Sequence, residues 1–459
     1  MRKFLKALLL SVLLLIVAAG IWLAMAPPAT IKIAAGYSAK IVCSNVFLAG
    51  RDAGEVLRVD VQAPGHPVLR LMSVQVDHDA RIVTAALLGL FGKGVAVYRE
   101  GLGCTTVPEG NMDRLAAAQP GPAKPPAVSD ATWPQGSRVD TANDPAVRAL
   151  LDDEAMAGPG MRAIVVVHDG RIVGERYAEG FGVDTPLLGW SMTKTVTAAI
   201  IGTLVDAGRM NVSRSGLFQE WQGDARGTIK VSDLMGMSSG LEFNEDYGDV
   251  TDVTRMLYLE ADMAGFAASK PLAGGVGEVF SYSSGTTLLL SRLWQEAVGE
   301  RQAAVDWPRK TLFDPIGMAS AVMEPDASGI YVGSSYLYAA ARDWARFGQL
   351  LLQDGFWSGQ QILPPGFVEW MRQPAPASRG TYGYGQLSLS GPGGTAQRGN
   401  TSDNGFDLPT DTYWLLGHDG QSIAIAPSSR LVVVRLGLTP SRLGYKPQAL
   451  FGALAKAMN

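Results

Sequence analysis

Residues 187–208 read LLGWSMTKTVTAAIIGTLVDAG, an almost wholly apolar stretch with one lysine near its beginning. The run after Trp190 predicts a helix over residues 192–208, and its apolar character predicts burial on most sides. Lys194 follows Ser191 by three residues, which places both side chains on one face of a helix. A lysine side chain in such surroundings must have a hydrogen-bonding or charged partner, lose its proton, or take part in the function of the protein. Ser191 and Lys194 are therefore candidates for a functional site.

The composition of the 459-residue chain is that of a globular protein, with 47% hydrophobic and 18% charged residues. This length suffices for one large domain and a smaller one. The formal net charge is −4, and basic residues form no cluster beyond the first six positions. These features give no reason to expect a nucleic acid as a partner.

The N-terminus combines a basic flank with an apolar run. Arg2, Lys3 and Lys6 precede ALLLSVLLLIVAAGIWLAMA, an uncharged run of about the twenty residues that cross a bilayer. Residues 1–26 are consistent with a cleaved signal peptide and with an uncleaved membrane anchor. The run is long for a signal peptide and Pro27 follows its Ala-Met-Ala site, which favours the anchor. The basic flank then predicts a cytoplasmic N-terminus, with the remaining chain in the periplasm or outside the cell.

Turn-forming residues divide the rest of the chain into three segments. Residues 27–106 contain strand-like runs separated by turns at residues 78–79 and 92–94, and are expected to form a small β-rich unit of unknown role. Residues 107–142 are rich in Pro, Ala and Gly, which is typical of a linker. Residues 143–459 are expected to form the large domain.

Cys43 and Cys104 are the two cysteines of the chain. An even and minimal count in an exported protein predicts one disulfide, which would join the beginning of the β-rich unit to its end. Two unrelated buried thiols are the alternative.

Strand-like sequences lie at both ends of the large domain, around a helical middle. A hairpin is predicted around the turn His168-Asp169-Gly170, and strands return in residues 412–437. This order predicts an antiparallel β-sheet flanked by helices, an α+β fold. The four histidines are scattered at positions 66, 78, 168 and 418. Because a metal site needs closer ligand spacing, we expect neither a metal nor a cofactor.

The spacing of Ser191 and Lys194 suggests nucleophilic catalysis. A serine hydroxyl is a weak nucleophile until a base takes its proton. A lysine desolvated in an apolar helix is neutral part of the time and can accept that proton. A serine at the helix start also places developing negative charge near the positive end of the helix dipole. We interpret Lys194 as the proton acceptor; because S-x-x-K is common by chance, a surface lysine on an ordinary helix is the alternative.

Tyr282-Ser283-Ser284 forms a second motif, immediately before an apolar helix. A tyrosine hydroxyl close to Lys194 could share in the transfer of the proton. A packed tyrosine in an ordinary turn is the alternative.

A third motif contains His418, Gly420 and Gln421. These residues are expected along a strand, where Gly420 would allow the close approach of a ligand. The backbone N–H groups of Gln421 and Ser191 are then candidates for an oxyanion hole.

In this order, Ser191-x-x-Lys194, Tyr282-Ser283-Ser284 and His418-x-Gly420 resemble the motifs of the serine β-lactamase and penicillin-binding superfamily. The tyrosine in the second motif is similar to that of class C enzymes. The phrases GWSMTKT, SDLMGMSSGLEF and GHDGQSIAIAP resemble more closely the 6-aminohexanoate-dimer hydrolase and esterase branch. The resemblance covers residues 145–458. It implies a β-lactamase-like fold, in which an all-helical subdomain accompanies the sheet.

The resemblance also implies a mechanism through an acyl-enzyme. Ser191 would attack an ester or amide carbonyl, with Lys194 and Tyr282 moving the proton. The amides of Ser191 and Gln421 would hold the oxyanion, and Tyr282 would assist the leaving group and then the deacylating water.

Two departures from the β-lactamase pattern bear on the substrate. The third motif reads H-x-G where β-lactamases have K-T-G, which removes a cation that could pair with the carboxylate of an antibiotic. Ser284 occupies a position that is asparagine in many relatives. Both departures favour small esters or amides as substrates, bound near Ser284, His418 and Gly420, with Tyr247 on a neighbouring loop.

Two other interpretations remain open. Gly236-x-Ser238-x-Gly240 fits the nucleophile elbow of α/β-hydrolases, although its flanking residues do not predict the required strand and helix. A penicillin-binding or DD-peptidase-like protein with slow deacylation, or a non-catalytic relative, would bind peptidoglycan peptides without rapid turnover.

Overall fold

The computed structural model describes residues 2–115, 121–122, 124–125, 129–139, 144–392 and 402–458. Its α-helices are α1 (Arg2–Met25), α2 (Ala29–Phe47), α3 (Ala53–Val56), α4 (Pro145–Asp152), α5 (Glu154–Ala157), α6 (Met192–Asp206), α7 (Val231–Met235), α8 (Asp252–Leu259), α9 (Met263–Ala268), α10 (Ser284–Val298), α11 (Arg301–Pro308), α12 (Ala341–Leu352), α13 (Phe367–Arg372) and α14 (Pro447–Met458). Its strands are β1 (Met72–Asp77), β2 (Ile82–Leu87), β3 (Phe91–Arg99), β4 (Gly103–Val107), β5 (Met161–His168), β6 (Arg171–Tyr177), β7 (Leu187–Leu188), β8 (Val322–Met323), β9 (Leu337–Ala339), β10 (Phe356–Trp357), β11 (Gln360–Gln361), β12 (Tyr382–Gly383), β13 (Leu387–Ser388), β14 (Tyr413–Gly417), β15 (Gln421–Ala426) and β16 (Leu431–Gly437).

The chain divides into two compact units. The first unit comprises Met1–Arg99, Cys104–Ala117 and Asp246–Ala261, and the second comprises Glu100–Gly103, Ala118–Glu245 and Asp262–Asn459. Residues 246–261 therefore belong to the first unit, whereas the sequence predicts them within a continuous large domain. Their helix α8 packs on α2, and the rings of Tyr37 and Tyr258 meet edge to face at 5.7 Å.

The first unit contains a four-stranded sheet in the order β1-β2-β3-β4, with helix α2 packed on β2 and β3. Helix α2 was not expected from the sequence. Glycine explains how closely this helix approaches the sheet, because a Cβ on Gly94 would lie 2.4 Å from the carbonyl carbon of Ala35. The predicted disulfide is present and joins Cys43 of α2 to Cys104 of β4, with 6.1 Å between their Cα atoms.

The turn predicted at residues 92–94 lies elsewhere in the structure. The chain turns at residues 88–90, and residues 92–94 lie inside β3. Consecutive leucines resemble a strand in the sequence, and the Gly-Lys-Gly run resembles a turn. Gly92, at a φ of 63°, and Gly94 are instead needed where the sheet meets α2.

The second unit is built on a seven-stranded antiparallel sheet in the order β12-β13-β14-β15-β16-β5-β6. The last strand of the chain, β16, pairs with β5, the first strand of this sheet in sequence. Helices α4 and α14 supply residues to the hydrophobic core on one face, and α12 packs on β5, β15 and β16. These observations confirm the predicted α+β fold, an antiparallel sheet flanked by helices.

Helices occupy the middle of the second unit, where α10 contacts α6, α7, α9 and α11. A short sheet has the strand order β7-β9-β8. Its strand β7 ends three residues before α6, so the chain passes from β7 through a tight turn into this buried helix. This passage positions Ser191.

Part of the segment predicted as a linker is folded within the second unit. Trp133 is buried, and Arg346 of α12 donates hydrogen bonds to the carbonyl oxygens of Pro134 and Gly136, at 3.0 and 2.5 Å. Residues 116–120, 123, 126–128 and 140–142 of the predicted linker lie outside the described residues.

Candidate active site

Ser191 is held at the N-terminus of α6 by the two residues that precede it. A Cβ on Gly189 would lie 2.2 Å from Cζ2 of Trp344, so this position requires glycine. Trp190 has a φ of 49°, in the left-handed region that a large side chain rarely adopts. Strain of this kind is concentrated at functional sites. Ser191 is half-buried at the end of the turn, with Lys194 one helical turn further.

Lys194 is fully buried and its ammonium nitrogen has three polar neighbours. Its Nζ lies 3.1 Å from Ser191 Oγ, 3.0 Å from Ser284 Oγ and 3.0 Å from the carbonyl oxygen of Ser334. The lysine is therefore a buried partner of the serine, and the surface lysine considered as an alternative is wrong.

Ser284 is the first residue of α10 and joins Lys194 to a carboxylate. Its backbone N–H donates to Glu245 Oε2 at 2.7 Å, and its hydroxyl donates to Glu245 Oε1 at 2.5 Å. Burial raises the pKa of Glu245, and the charge of Lys194 and the hydrogen bonds from Ser284 oppose that rise. Ser284, predicted to bind substrate, is itself fully buried and connects Lys194 to Glu245.

Tyr282 approaches Lys194 through its ring. The Lys194 ammonium lies 4.8 Å from the centroid of the Tyr282 ring, within the range of a cation–π contact. The same ring contacts buried Tyr382 edge to face at 6.0 Å, and burial raises the pKa of Tyr382 well above its usual value. Ser283 caps the N-terminus of α10 by accepting a hydrogen bond from the amide of Thr286, which fixes the backbone next to Tyr282.

The third motif forms a turn, and the prediction that it lies along a strand is wrong for two of its three residues. His418–Gly420 is a 3₁₀ turn between β14 and β15, and Gln421 begins β15. Gly420 has a φ of 82°, which explains its glycine. The turn lies close to the segment that precedes Ser191: the His418 ring contacts Trp190 at 5.5 Å, and a Cβ on Gly417 would lie 2.2 Å from the Gly189 carbonyl oxygen.

The side chain of Gln421 fixes this turn to the sheet. Its Nε2 donates to the carbonyl oxygens of His418 at 3.0 Å and Gly437 at 2.6 Å, and its Oε1 accepts from the amide of Gly437 at 2.9 Å. The backbone around Gln421, which includes the candidate oxyanion amide, is therefore held rigidly.

Tyr247 and Ser238 are two other candidates from the sequence. Tyr247 belongs to the first unit, in the segment Asp246–Ala261. Ser238 is buried in a turn after α7, where its amide donates to the Asp233 carbonyl oxygen at 2.8 Å. Because no strand precedes Ser238 and no helix follows it directly, the nucleophile-elbow interpretation is wrong.

Sequence reasoning missed Glu245 and Ser334. Glu245 lies in NEDYGD, an acidic run in which nothing in the sequence distinguishes one half-buried carboxylate from its solvated neighbours. Ser334 contributes only a backbone carbonyl oxygen, which no side-chain pattern can indicate. Among the described residues no group of three His, Cys, Asp or Glu side chains could hold a metal ion.

Known proteins share this architecture. A 6-aminohexanoate-dimer hydrolase from Paenarthrobacter ureafaciens is 25% identical over 310 residues, which cover 61% of this chain and 72% of that protein. A Bacillus anthracis protein assigned as a 6-aminohexanoate-dimer hydrolase has a TM-score of 0.54 and 25% identity, over 67% of this chain and 81% of its own. A family VIII carboxylesterase shares the fold, with a TM-score of 0.53 and 14% identity over 70% of this chain and 98% of its own.

The beta-lactamase family matches residues 147–442, a range that contains Ser191, Lys194, Tyr282 and the turn His418–Gly420. Since this match covers more than half of the sequence, the chain belongs to the beta-lactamase family and is a hydrolase of the β-lactamase fold.

Proposed function

We propose that the protein is a serine hydrolase that forms an acyl-enzyme on small ester or amide substrates. The observation that carries this proposal is the environment of Lys194 Nζ, which lies within hydrogen-bond distance of Ser191 Oγ and of two other oxygens. A nucleophile needs a base at this distance to lose its proton.

The hydrogen bonds around Lys194 are compatible with the neutral amine that a general base requires. A neutral amine has two N–H donors and one lone pair. The carbonyl oxygen of Ser334 accepts one donor, and Ser284 Oγ accepts the other because its own hydrogen is given to Glu245. The ammonium donates to Ser191 Oγ at 3.1 Å; in the neutral amine that the proposal requires, the lone pair would face Ser191 Oγ and could accept the hydroxyl hydrogen.

Glu245 acts in this proposal as a positioning residue. By accepting both the N–H and the O–H of Ser284, its carboxylate keeps the Ser284 hydroxyl from donating to Lys194. Its negative charge also stabilises the ammonium that forms once Lys194 has taken the proton. The two effects favour proton transfer away from Ser191.

Catalysis would proceed in two halves. Ser191 Oγ attacks the carbonyl carbon, its proton passes to Lys194, and the backbone amides of Ser191 and Gln421 bind the oxyanion. Tyr282 assists in delivering a proton to the departing alcohol or amine. Water then attacks the acyl-enzyme, and Ser191 recovers its proton as the acid is released.

The residues beside Ser191 favour a substrate with little charge. Trp190, Tyr336 and His418 form a run of ring contacts beside Ser191. His418 occupies the motif position that is lysine in K-T-G proteins, so the permanent cation of that motif is missing from this position. Linear esters and amides fit these features, and the name of the hydrolase from Paenarthrobacter ureafaciens supports an amide.

Labelling with a fluorophosphonate, read as intact mass, tests the nucleophile. The detergent-solubilised full chain should gain one adduct, Ser191→Ala should gain none, and the matched control Ser238→Ala should gain one. A panel of p-nitrophenyl esters and short linear amides then tests turnover. An acyl-enzyme that accumulates from these esters or amides without release of the acid would contradict rapid hydrolysis and favour a penicillin-binding protein.

We also propose that α1 anchors the protein in the membrane, with the second unit in the periplasm or outside the cell. Among the described residues α1 is the one helix long and apolar enough to cross a bilayer, and none of its residues is buried in the protein. Retention of the full-length mass in a carbonate-washed membrane fraction tests the anchor. A soluble chain that begins after residue 26 would instead show a cleaved signal peptide.

A further inference from the structure

The first unit exposes large apolar side chains at one end of its sheet. Leu71, Leu88 and Leu90 are 51, 59 and 76% exposed, and we call them the leucine edge. The amide of Leu88 donates to the carbonyl oxygen of Leu71 at 2.8 Å, which places the β2–β3 turn beside the start of β1. Contiguous exposed leucines of this kind mark a contact surface.

The backbone of Leu88 gives a second reason to expect a function. Its φ is 52°, in the left-handed region where glycine, asparagine or aspartate is the ordinary residue of a turn. A leucine at this position is unfavourable both for its backbone conformation and for its exposure to water. Such a residue in a tight turn points to a role for its side chain.

The leucine edge lies beside the end of α1. A Cβ on Gly20 of α1 would lie 3.9 Å from Cζ of Phe91, the residue that follows Leu90. A Cβ on Gly92 would lie 3.5 Å from Cβ of Pro27, two residues beyond the end of α1. The leucine edge is therefore level with the point at which the chain leaves its apolar helix.

The two ends of the sheet also differ in charge: basic residues lie at the leucine edge and acidic residues lie in the opposite turn. Exposed Arg70 and Lys93 flank the leucine edge, and residues 70–73 and 88–94 contain no acidic residue. The opposite turn, residues 77–81, reads DHDAR and is exposed. Strands of six residues separate the two ends by about 20 Å, at roughly 3.3 Å per residue. Apolar side chains flanked by basic ones suit the boundary between acyl chains and anionic headgroups.

We propose that the leucine edge inserts into the leaflet from which α1 emerges, so that the first unit contacts the lipid bilayer at two places. The partner is the acyl-chain region of the bilayer. This contact would hold the first unit upright on the membrane, with the DHDAR turn directed into water. The proposal goes beyond hydrolysis and rests on the retention of α1 as an anchor.

Depth-dependent quenching in vesicles of phosphatidylethanolamine and phosphatidylglycerol tests the proposal with the full chain. An NBD fluorophore is attached through Leu90→Cys, or through Ala80→Cys in the opposite turn as the matched control; the native cysteines are joined in the disulfide. Lipids with nitroxide on the acyl chain report insertion, and iodide reports exposure to water. Co-sedimentation with the vesicles reports separately on α1.

The expected result is that nitroxide lipids quench most of the fluorescence at position 90 while iodide has little effect, with the reverse at position 80. Leu88→Asn, which suits the left-handed backbone and removes a leucine, should reduce the nitroxide quenching at position 90. Equal iodide quenching at both positions would overturn the proposal. Shielding of position 90 from both quenchers would also overturn it and indicate a protein partner or a second copy. Loss of co-sedimentation would overturn the anchor and this proposal together, with the labelling of Ser191 unaffected.

Discussion

Glu245 Oε1 accepts the hydroxyl hydrogen of Ser284 at 2.5 Å, and Ser284 Oγ accepts a hydrogen of Lys194 at 3.0 Å. A half-buried carboxylate thus acts on the proposed base through one intervening hydroxyl. Ser284 has a single hydrogen, so its donation to Glu245 decides what it can offer to Lys194.

Lys194→Met should abolish most of the activity while keeping the apolar helix packed. Loss of a general base lowers kcat by about 10²- to 10⁴-fold. Ester turnover and fluorophosphonate labelling, compared with Ser191→Ala, check the result. Near-normal turnover in Lys194→Met would rule out the proposed base.

Glu245→Gln should lower kcat more than it raises KM, because a glutamine amide cannot accept both hydrogens of Ser284. Since burial raises the pKa of Glu245 and the carboxylate is the active form, activity should fall as the pH decreases through this raised pKa. The acidic limb of the kcat profile should then be lost in Glu245→Gln. The control is Glu242→Gln, which changes an exposed neighbour and should keep the acidic limb of the kcat profile. If Glu245→Gln also keeps this limb, Glu245 has no positioning role.

Tyr282→Phe separates the ring from its hydroxyl. The ring contact with Lys194 should persist, so labelling of Ser191 should survive, whereas kcat for amides should fall by about 10²-fold or more if the hydroxyl moves a proton. Rapid-quench and steady-state rates distinguish acylation from deacylation. Unchanged rates in both phases would exclude the hydroxyl from the reaction.

Asp326 should make the stability of the second unit depend on pH. It is fully buried, accepts hydrogen bonds from Ser328 and the amides of Met263 and Ile330, and burial raises its pKa to about 7. Because the folded pKa lies above the unfolded one, the stabilisation is complete below pH 4 and is lost as the pH rises to 7. The loss amounts to about 4 kcal/mol at about 1.4 kcal/mol per pH unit. Melting curves of the wild type should therefore fall more steeply over this range than those of Asp326→Asn; parallel curves would exclude this carboxyl as the source.

Removal of the disulfide should destabilise the first unit. The bridge spans 61 residues of sequence, and a closed loop of this length stabilises by about 4 kcal/mol in the chain-entropy description. Cys43→Ala with Cys104→Ala should lower the unfolding temperature of this unit, measured by calorimetry. Reductant should lower the wild-type transition and leave that of the double variant unchanged.

The sequence predicts those parts of the site that depend on spacing within one element. Ser191 and Lys194 share a helical turn, and the hairpin around Asp169 follows from two β-branched runs. Glu245 was not predictable, because its role depends on a contact with Ser284 of α10, far along the chain. Helix α2 was also missed: it has no side-chain N-cap and no acidic residue in its first turn, which are the signals that mark the start of a helix in a sequence. The turn at Leu88 was missed because turn rules expect small or polar residues there.

The placement of residues 246–261 has a consequence for how this protein can change. The chain leaves the second unit after Glu245 and returns to it at Asp262, and α8 lies in between. Val253, Met256 and Leu257 of α8 are buried, in a unit whose other members come from the first 117 residues. A deletion or gene fusion that removes those residues would strip α8 of its partner α2 and expose its apolar face. Because α8 lies between two segments of the second unit, no single division of the sequence yields both units complete.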